Sequence, residues 1–201
     1  MTNERIRKIG LQELAKINPT NTNAFEWKTW LTDYQFNHEY PDDSYIWLTN
    51  ILALRAIDHG NFGVGCVLID VNGNIVVQGH NEVFNPYFRS DRHAEMVVMD
   101  KFEDAYRGIN KKEGYTLYTS LESCPMCLIR LITSDINTVL YAASDIMGGM
   151  VHKMQNVPPF WIELYNGKVF SQANCSQELI NAANDIFLIN ANELLEKIKN
   201  R

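Results

Sequence analysis

His93-Ala94-Glu95 and Cys124-Pro125-Met126-Cys127 are the stretches of this chain whose residue types and spacing could do chemistry. The first sets an imidazole two residues before a carboxylate, and the second sets two thiols at i and i+3. One imidazole and two thiolates suit Zn²⁺, which takes nitrogen and sulfur ligands in a tetrahedron. Three protein ligands leave the fourth position to water, as in a catalytic zinc site rather than a closed structural one. Glu95 is then a spare carboxylate, available as a proton carrier.

Helix starts are the elements that can position these groups. Pro125 is tolerated in the first turn of a helix, where its missing N–H costs nothing. Cys124 and Cys127 then share one face of that turn. The free N–H groups and the positive end of the dipole lower thiol pKa values there. Inside a regular helix, two residues rotate the chain by roughly 200°, so His93 and Glu95 converge only around an opening turn. The spacing therefore predicts two helix starts facing one metal ion, with His93, Cys124 and Cys127 as ligands and Glu95 close but unligated. Zinc brings the pKa of a bound water to about 7. Glu95 can take that proton and hand it to a substrate, as general base and then general acid.

Each half of the pattern has a plainer reading. A lone H-x-E arises readily by chance. A Cys-Pro-Met-Cys that follows a strand and opens a helix is also a redox dithiol, or half of a structural zinc site. A thiol–disulfide oxidoreductase and a non-catalytic zinc-binding protein therefore stand as alternatives from other classes. The co-occurrence of both halves at helix starts, with no second Cys-x-x-Cys, favours a catalytic metal. His38, His59, His80 and His152 have no comparable context and read as surface or core histidines.

The remaining pattern places these motifs. Pro41-Asp42-Asp43-Ser44 starts a helix carrying Ile46, Trp47, Leu48, Ile51, Leu52, Leu54 and Ile57, and Gly60 ends it. Residues 64–69 and 75–77 read as strands around Asn72-Gly73, a hairpin signal. A helix follows over 93–107, a strand over 115–119, a helix over 125–133 and a strand over 138–142. Met147-Gly148-Gly149-Met150 reads as a turn, and Pro158-Pro159 as a break. A last strand is expected near 168–170, and Ser176 as the N-cap of a helix running to Lys199. The strand–helix–strand unit over 115–142 calls for a right-handed parallel crossover. Ahead of this, Ile6, Ile9, Leu11, Leu14 and Ile17 have helical spacing up to Asn18-Pro19-Thr20-Asn21. The aromatic segment Phe25 to Phe36 reads as packing against the main domain. The division expected is a helical extension over 1–43 and a zinc-dependent domain over 44–201.

Composition narrows the class. Of 201 residues, 46% are hydrophobic and 21% charged, which affords a proper core. A net charge of −6 argues against a broad basic face, so no nucleic-acid partner is expected. Lys111-Lys112 reads as a solvated turn. Four cysteines, with Cys66 in an apolar run and Cys175 given no chemistry, are no disulfide framework and fit the reducing cytoplasm. Residues 1–10 are polar, and no run of eighteen apolar residues occurs, so no leader or membrane span is expected.

These motifs resemble the zinc-dependent cytidine deaminase superfamily, whose pattern is H-[AV]-E followed by P-C-x-x-C. The run from Thr119 to Cys127 looks most like the branch of guanine deaminases, cytosine deaminases and tRNA adenosine deaminases. The resemblance covers roughly residues 44–142. It implies a three-layer α/β/α fold with a mixed five-stranded sheet, one Zn²⁺ per chain and a homodimer. It implies hydrolysis of a ring amino group to a carbonyl with release of ammonia, on a free nucleobase or nucleoside such as guanine, cytosine or cytidine. tRNA adenosine deamination is the runner-up. It also implies that Phe62 walls the base pocket, that Asn81 and the Ala94 N–H contact substrate, and that Glu122 supports the metal loop. Three departures are visible. Ser123 stands where the family has proline before the first cysteine, which implies a looser loop. Asn61 replaces the proline before Phe62. Ser90-Asp91-Arg92 replaces the usual D-P-[TS]-A lead, just where base identity is set.

Overall fold

The computed structural model describes residues 2–108 and 114–201; Lys111-Lys112 lies outside the described residues. Two helices come first, α1 (Asn3–Leu14) and α2 (Thr22–Asp33), then α3 (Asp43–Asp58). The hairpin β1 (Gly65–Ile69) and β2 (Ile75–His80) leads into α4 (Ala94–Ala105). The unit β3 (Thr116–Leu121), α5 (Pro125–Thr133) and β4 (Thr138–Ala143) follows. A 3-10 turn (Val151–Asn156), α6 (Pro159–Tyr165), β5 (Val169–Gln172), α7 (Gln177–Leu188) and α8 (Ala191–Lys199) complete the chain.

The five strands form one mixed sheet in the order β2-β1-β3-β4-β5. β1 is antiparallel to β2 and β3, whereas β3, β4 and β5 run parallel. Two glycines show that helices cover both faces. A Cβ on Gly65 would sit 2.2 Å from the Thr49 carbonyl oxygen of α3, and one on Gly79 would meet Val97 and Val98 of α4 at 3.1 Å. Gly79 pairs across the hairpin with Cys66, the neighbour of Gly65. Paired residues share a face and neighbours alternate, so α3 and α4 lie on opposite sides. The fold is the expected α/β/α sandwich on a mixed five-stranded sheet.

Local chemistry sets the element starts. Asn21, in the stretch that reads as a breaker, caps α2 by accepting from the Asn23 and Ala24 N–H groups at 2.8 and 3.3 Å. Asp70 Oδ1 accepts from the Asn72 and Asn74 N–H groups, both at 2.8 Å, closing the hairpin. Asp42 and Asp43 do more than sit at the start of α3. Asp43 accepts from the Tyr34 hydroxyl at 2.8 Å and the Ser176 N–H at 2.9 Å, while Asp42 accepts from the Tyr118 hydroxyl and the Asn174 N–H, both at 2.7 Å. These two buried carboxylates staple the extension, the sheet and the start of α7 together.

The extension shares the central core. Ile6, Leu14, Ile17 and Leu31 are buried in the same cluster as Trp47 and Ile51 of α3. Of the aromatic segment, Trp27, Trp30 and Phe36 pack on that cluster, and only Phe25 stands largely exposed.

Two sequence expectations change in the C-terminal part. Pro159 starts a short helix rather than breaking structure, because proline fits the first helical position. The helix expected from Ser176 to Lys199 is two helices, α7 and α8. The apolar spacing runs through both, so the break lies in backbone geometry. Asn190 has φ −133° and donates from its amide to the Asn61 carbonyl at 2.9 Å.

Candidate metal centre and active site

His93 is the N-cap of α4 and Cys124 the N-cap of α5, both with extended backbone and neither spending its side chain on capping. Both are therefore free to point across the gap between the two helix starts. His93 Nδ1 lies 3.5 Å from Cys124 Sγ. Cys127, fully buried one turn into α5, completes a group whose three ligand atoms all lie within 4.8 Å of one another. One ion can touch all three, as the spacing predicts.

The electrostatics fit a cation. A hydrogen bond from Cys127 lowers the Cys124 thiol to about 4, against burial and with help from His93. Cys127 goes the other way, raised by the same hydrogen bond and by burial. The pair thus shares one proton, with the thiolate on Cys124. Burial lowers the His93 pKa, but the adjacent thiolate outweighs it and the net direction is up. An imidazole and two thiols facing one point is the donor set zinc prefers. Cys66 and Cys175 are buried elsewhere as free thiols.

Glu95, on the first turn of α4, is 4% exposed. It accepts a hydrogen bond from the Ser123 hydroxyl at 2.9 Å. Burial raises its pKa and the negative Cys124 adds to that rise, while the Ser123 bond works against it. The loop implied to be looser is therefore held twice, because the Ser123 carbonyl also accepts from the Met150 N–H at 2.9 Å. Asn61 is likewise a new tie rather than a lost one. Its side-chain oxygen accepts from the Phe84 and Asn85 N–H groups at 2.7 and 3.1 Å.

A cavity of about 210 Å³ opens beside these groups, and Phe62, Asn81, His93, Ala94, Glu95 and Glu122 all line it. Asn81 is 3% exposed, and its amide oxygen accepts from the Val83 N–H at 3.0 Å. The amide N–H group is then the part left for a ligand. Phe62 stacks against Phe187 of α7, with ring centroids 6.3 Å apart. Glu122 is fully committed. Its carboxylate accepts from the Asp145 N–H at 3.1 Å, the His152 N–H at 2.9 Å and His152 Nδ1 at 2.7 Å. Gly149 packs against it so closely that a Cβ there would sit 2.6 Å from Glu122 Cδ. Glu122 thereby fixes the loop after β4.

That loop and the last two helices supply lining residues that sequence reasoning missed. Asp145 and Gly148 line the cavity from the loop, and Phe187, Leu195 and Ile198 close it from α7 and α8. An acid just ahead of Gly148-Gly149 was an available signal for Asp145. Nothing local marked the helix residues, whose apolar spacing is that of any packed helix.

Residues 41–143 match the model of the cytidine and deoxycytidylate deaminase zinc-binding region. The chain belongs to this deaminase family. The chain is 37% identical over 105 residues to a tRNA-specific adenosine deaminase of Bacillus subtilis, a match covering 52% of this chain and 63% of that protein, so it spans less than two thirds of that relative's length. It is 29% identical over 112 residues to a probable cytosine deaminase of Schizosaccharomyces pombe, covering 55% and 66%. Guanine deaminase from Nitrosomonas europaea shares its fold, with a TM-score of 0.57 at 15% identity, covering 79% of this chain and 91% of that one. Among the described residues, no helix is long and apolar enough to cross a membrane.

Proposed function

We propose that this deaminase acts on a free nucleobase or nucleoside, converting a ring amino group to a carbonyl with release of ammonia. The observation that carries this reading is the small size of the cavity, which α8 helps to line. Leu195, Ile198, Phe62 and Phe187 line it with apolar surface, and its volume is about 210 Å³. That is below the roughly 300 Å³ at which pockets for drug-sized ligands begin, and it suits one heterocycle between apolar walls.

His93, Cys124 and Cys127 would hold zinc, which when bound would supply the Lewis acid that makes a water nucleophilic near neutral pH. The protein's own groups do the rest. Glu95, buried and with a raised pKa, takes the first water proton and delivers it to the ring nitrogen, then takes the second from the newly added hydroxyl and delivers it to the departing amine. The Asn81 amide donates to an acceptor on the ring, and the Ala94 N–H, at the positive end of α4, donates to a substrate carbonyl. Asp145, lining the same cavity, is an acceptor for a substrate N–H. Residues 1–43 brace α3, residues 44–201 form the catalytic unit, and the enzyme works in the cytoplasm as a homodimer. The three convergent donors speak against a thiol–disulfide cycle, which needs both thiols unligated.

tRNA adenosine deamination is the second reading, favoured by the relationship to the Bacillus subtilis protein. The net charge of −6 weighs against it. An ammonia-release screen over bases, nucleosides, pterin-like amines and an anticodon stem-loop separates the two. Turnover of a free base or nucleoside is the expected result. Turnover of the stem-loop alone overturns the proposal.

A further inference from the structure

Arg92, the last residue of the divergent Ser90-Asp91-Arg92 lead, belongs to a chain of ion pairs that links both metal-ligating helices. Its guanidinium reaches two carboxylates, Glu82 at 2.6 Å and Asp100 at 2.8 Å. The other oxygen of Asp100 takes Arg130 at 2.6 Å, and Arg130 also pairs with Glu103 at 2.9 Å. Asp100 lies two turns into α4. Arg130 lies one turn past Cys127 on α5.

We infer that Arg92, Asp100 and Arg130 form a strut that sets the spacing of the two helix starts carrying the metal ligands. Three observations carry this. First, Asp100 is the shared element: one carboxylate oxygen serves each arginine, so neither helix can slide along the other without losing a charge-assisted hydrogen bond. Second, the arginines are 19% and 22% exposed and Asp100 35%, so the two Asp100 pairs are partly shielded and less screened than fully exposed surface pairs. Third, Arg92 is covalently next to His93. Its carbonyl accepts from the Glu82 N–H at 2.9 Å while its side chain holds the Glu82 carboxylate. The loop from Glu82 to Arg92 is thus pinched shut at its base, and that base is tied to both helices. His93 and Cys124, as N-caps, have no capping bond of their own to hold them. Their orientation follows the helices behind them.

Groups that orient metal ligands from outside the coordination sphere typically change metal affinity by about 10–100-fold when removed. The inference rests on the zinc centre and on no particular substrate. The test is therefore a metal measurement on the full chain with Asp100→Asn, Arg130→Gln and Arg130→Lys. Zinc release to a competing chelator is timed. The visible spectrum of the Co²⁺-substituted protein is recorded, and the melting temperature of the metal-free protein is followed alongside. The expected result is release at least about tenfold faster in Asp100→Asn and Arg130→Gln, with shifted cobalt bands and partial restoration in Arg130→Lys. Unchanged release and unchanged cobalt bands in folded variants, with only the melting temperature lowered, would reduce the network to general stability and overturn the inference. If Asp100→Asn does not fold, Arg130→Gln against Arg130→Lys decides on the same readouts.

Discussion

The Ser123 hydroxyl donates to Glu95 Oε1 at 2.9 Å, so the residue that departs from the family's proline touches the proposed proton carrier. Burial raises the Glu95 pKa first and the Cys124 thiolate raises it further, while this bond stabilises the ionised form and lowers it. Removing the hydroxyl takes away one lowering effect and leaves those of His93 and the backbone against the two raising ones. Ser123→Ala therefore moves the acid limb of the kcat/KM profile to higher pH, because less Glu95 is ionised at any given pH. A hydrogen bond to a charged group is worth about 1.5–3 kcal/mol, which makes the shift about one pH unit or more. A pH profile with an unmoved acid limb would sink the assignment.

Glu95→Gln keeps the shape of the side chain and removes its proton chemistry. Zinc content by metal analysis should stay at about one per chain, since the ligands are untouched. Ammonia release should fall about 10²–10⁴-fold, the usual contribution of a positioned acid–base group. Substantial turnover in the zinc-loaded variant removes Glu95 from its role.

Metal binding should expel a countable proton. Cys124 is already a thiolate above about pH 4, whereas Cys127 holds its proton. At pH 8, zinc binding to the metal-free protein should release about one proton from Cys127, plus the fraction of His93 still protonated. Calorimetry in buffers of different ionisation enthalpy counts it. Release of two full protons from the thiols would contradict the shared-proton pair.

Gly10 of α1 lies against the indole of Trp47. A Cβ there would sit 2.1 Å from Cζ3 and 2.3 Å from Cη2 of a fully buried ring. That ring cannot yield easily, because its N–H donates to the Leu31 carbonyl at 2.8 Å. Gly10→Ala should cost about 1–3 kcal/mol through overpacking, read by urea denaturation, and leave zinc affinity unchanged. An unaltered midpoint would mean that α1 is not docked as described.

The zinc ligands were legible because their signal is local. A proline after Cys124 and an i, i+3 thiol pair define a helix start by themselves, and His93-Ala94-Glu95 makes sense only as another. The hairpin, the crossover unit and the N-cap Ser176 were legible for the same reason. The division between α7 and α8 was not, because one apolar period runs through both and the break depends on Asn190 reaching Asn61. Asp145 and the lining residues Phe187, Leu195 and Ile198 were missed because only the packing of distant segments brings them to the cavity.

The sequence by itself determined the metal, its three ligands and the spare carboxylate, since residue type and helical spacing decide donor chemistry and which face it occupies. Only the tertiary structure decided what surrounds them. It put Ser123 on Glu95, Glu122 under the loop of Asp145, Asp100 between two arginines, and α8 over the cavity. Most of these contacts join residues more than twenty positions apart in the chain. Such contacts follow from how helices settle on a twisted sheet, and no local pattern of side chains encodes them.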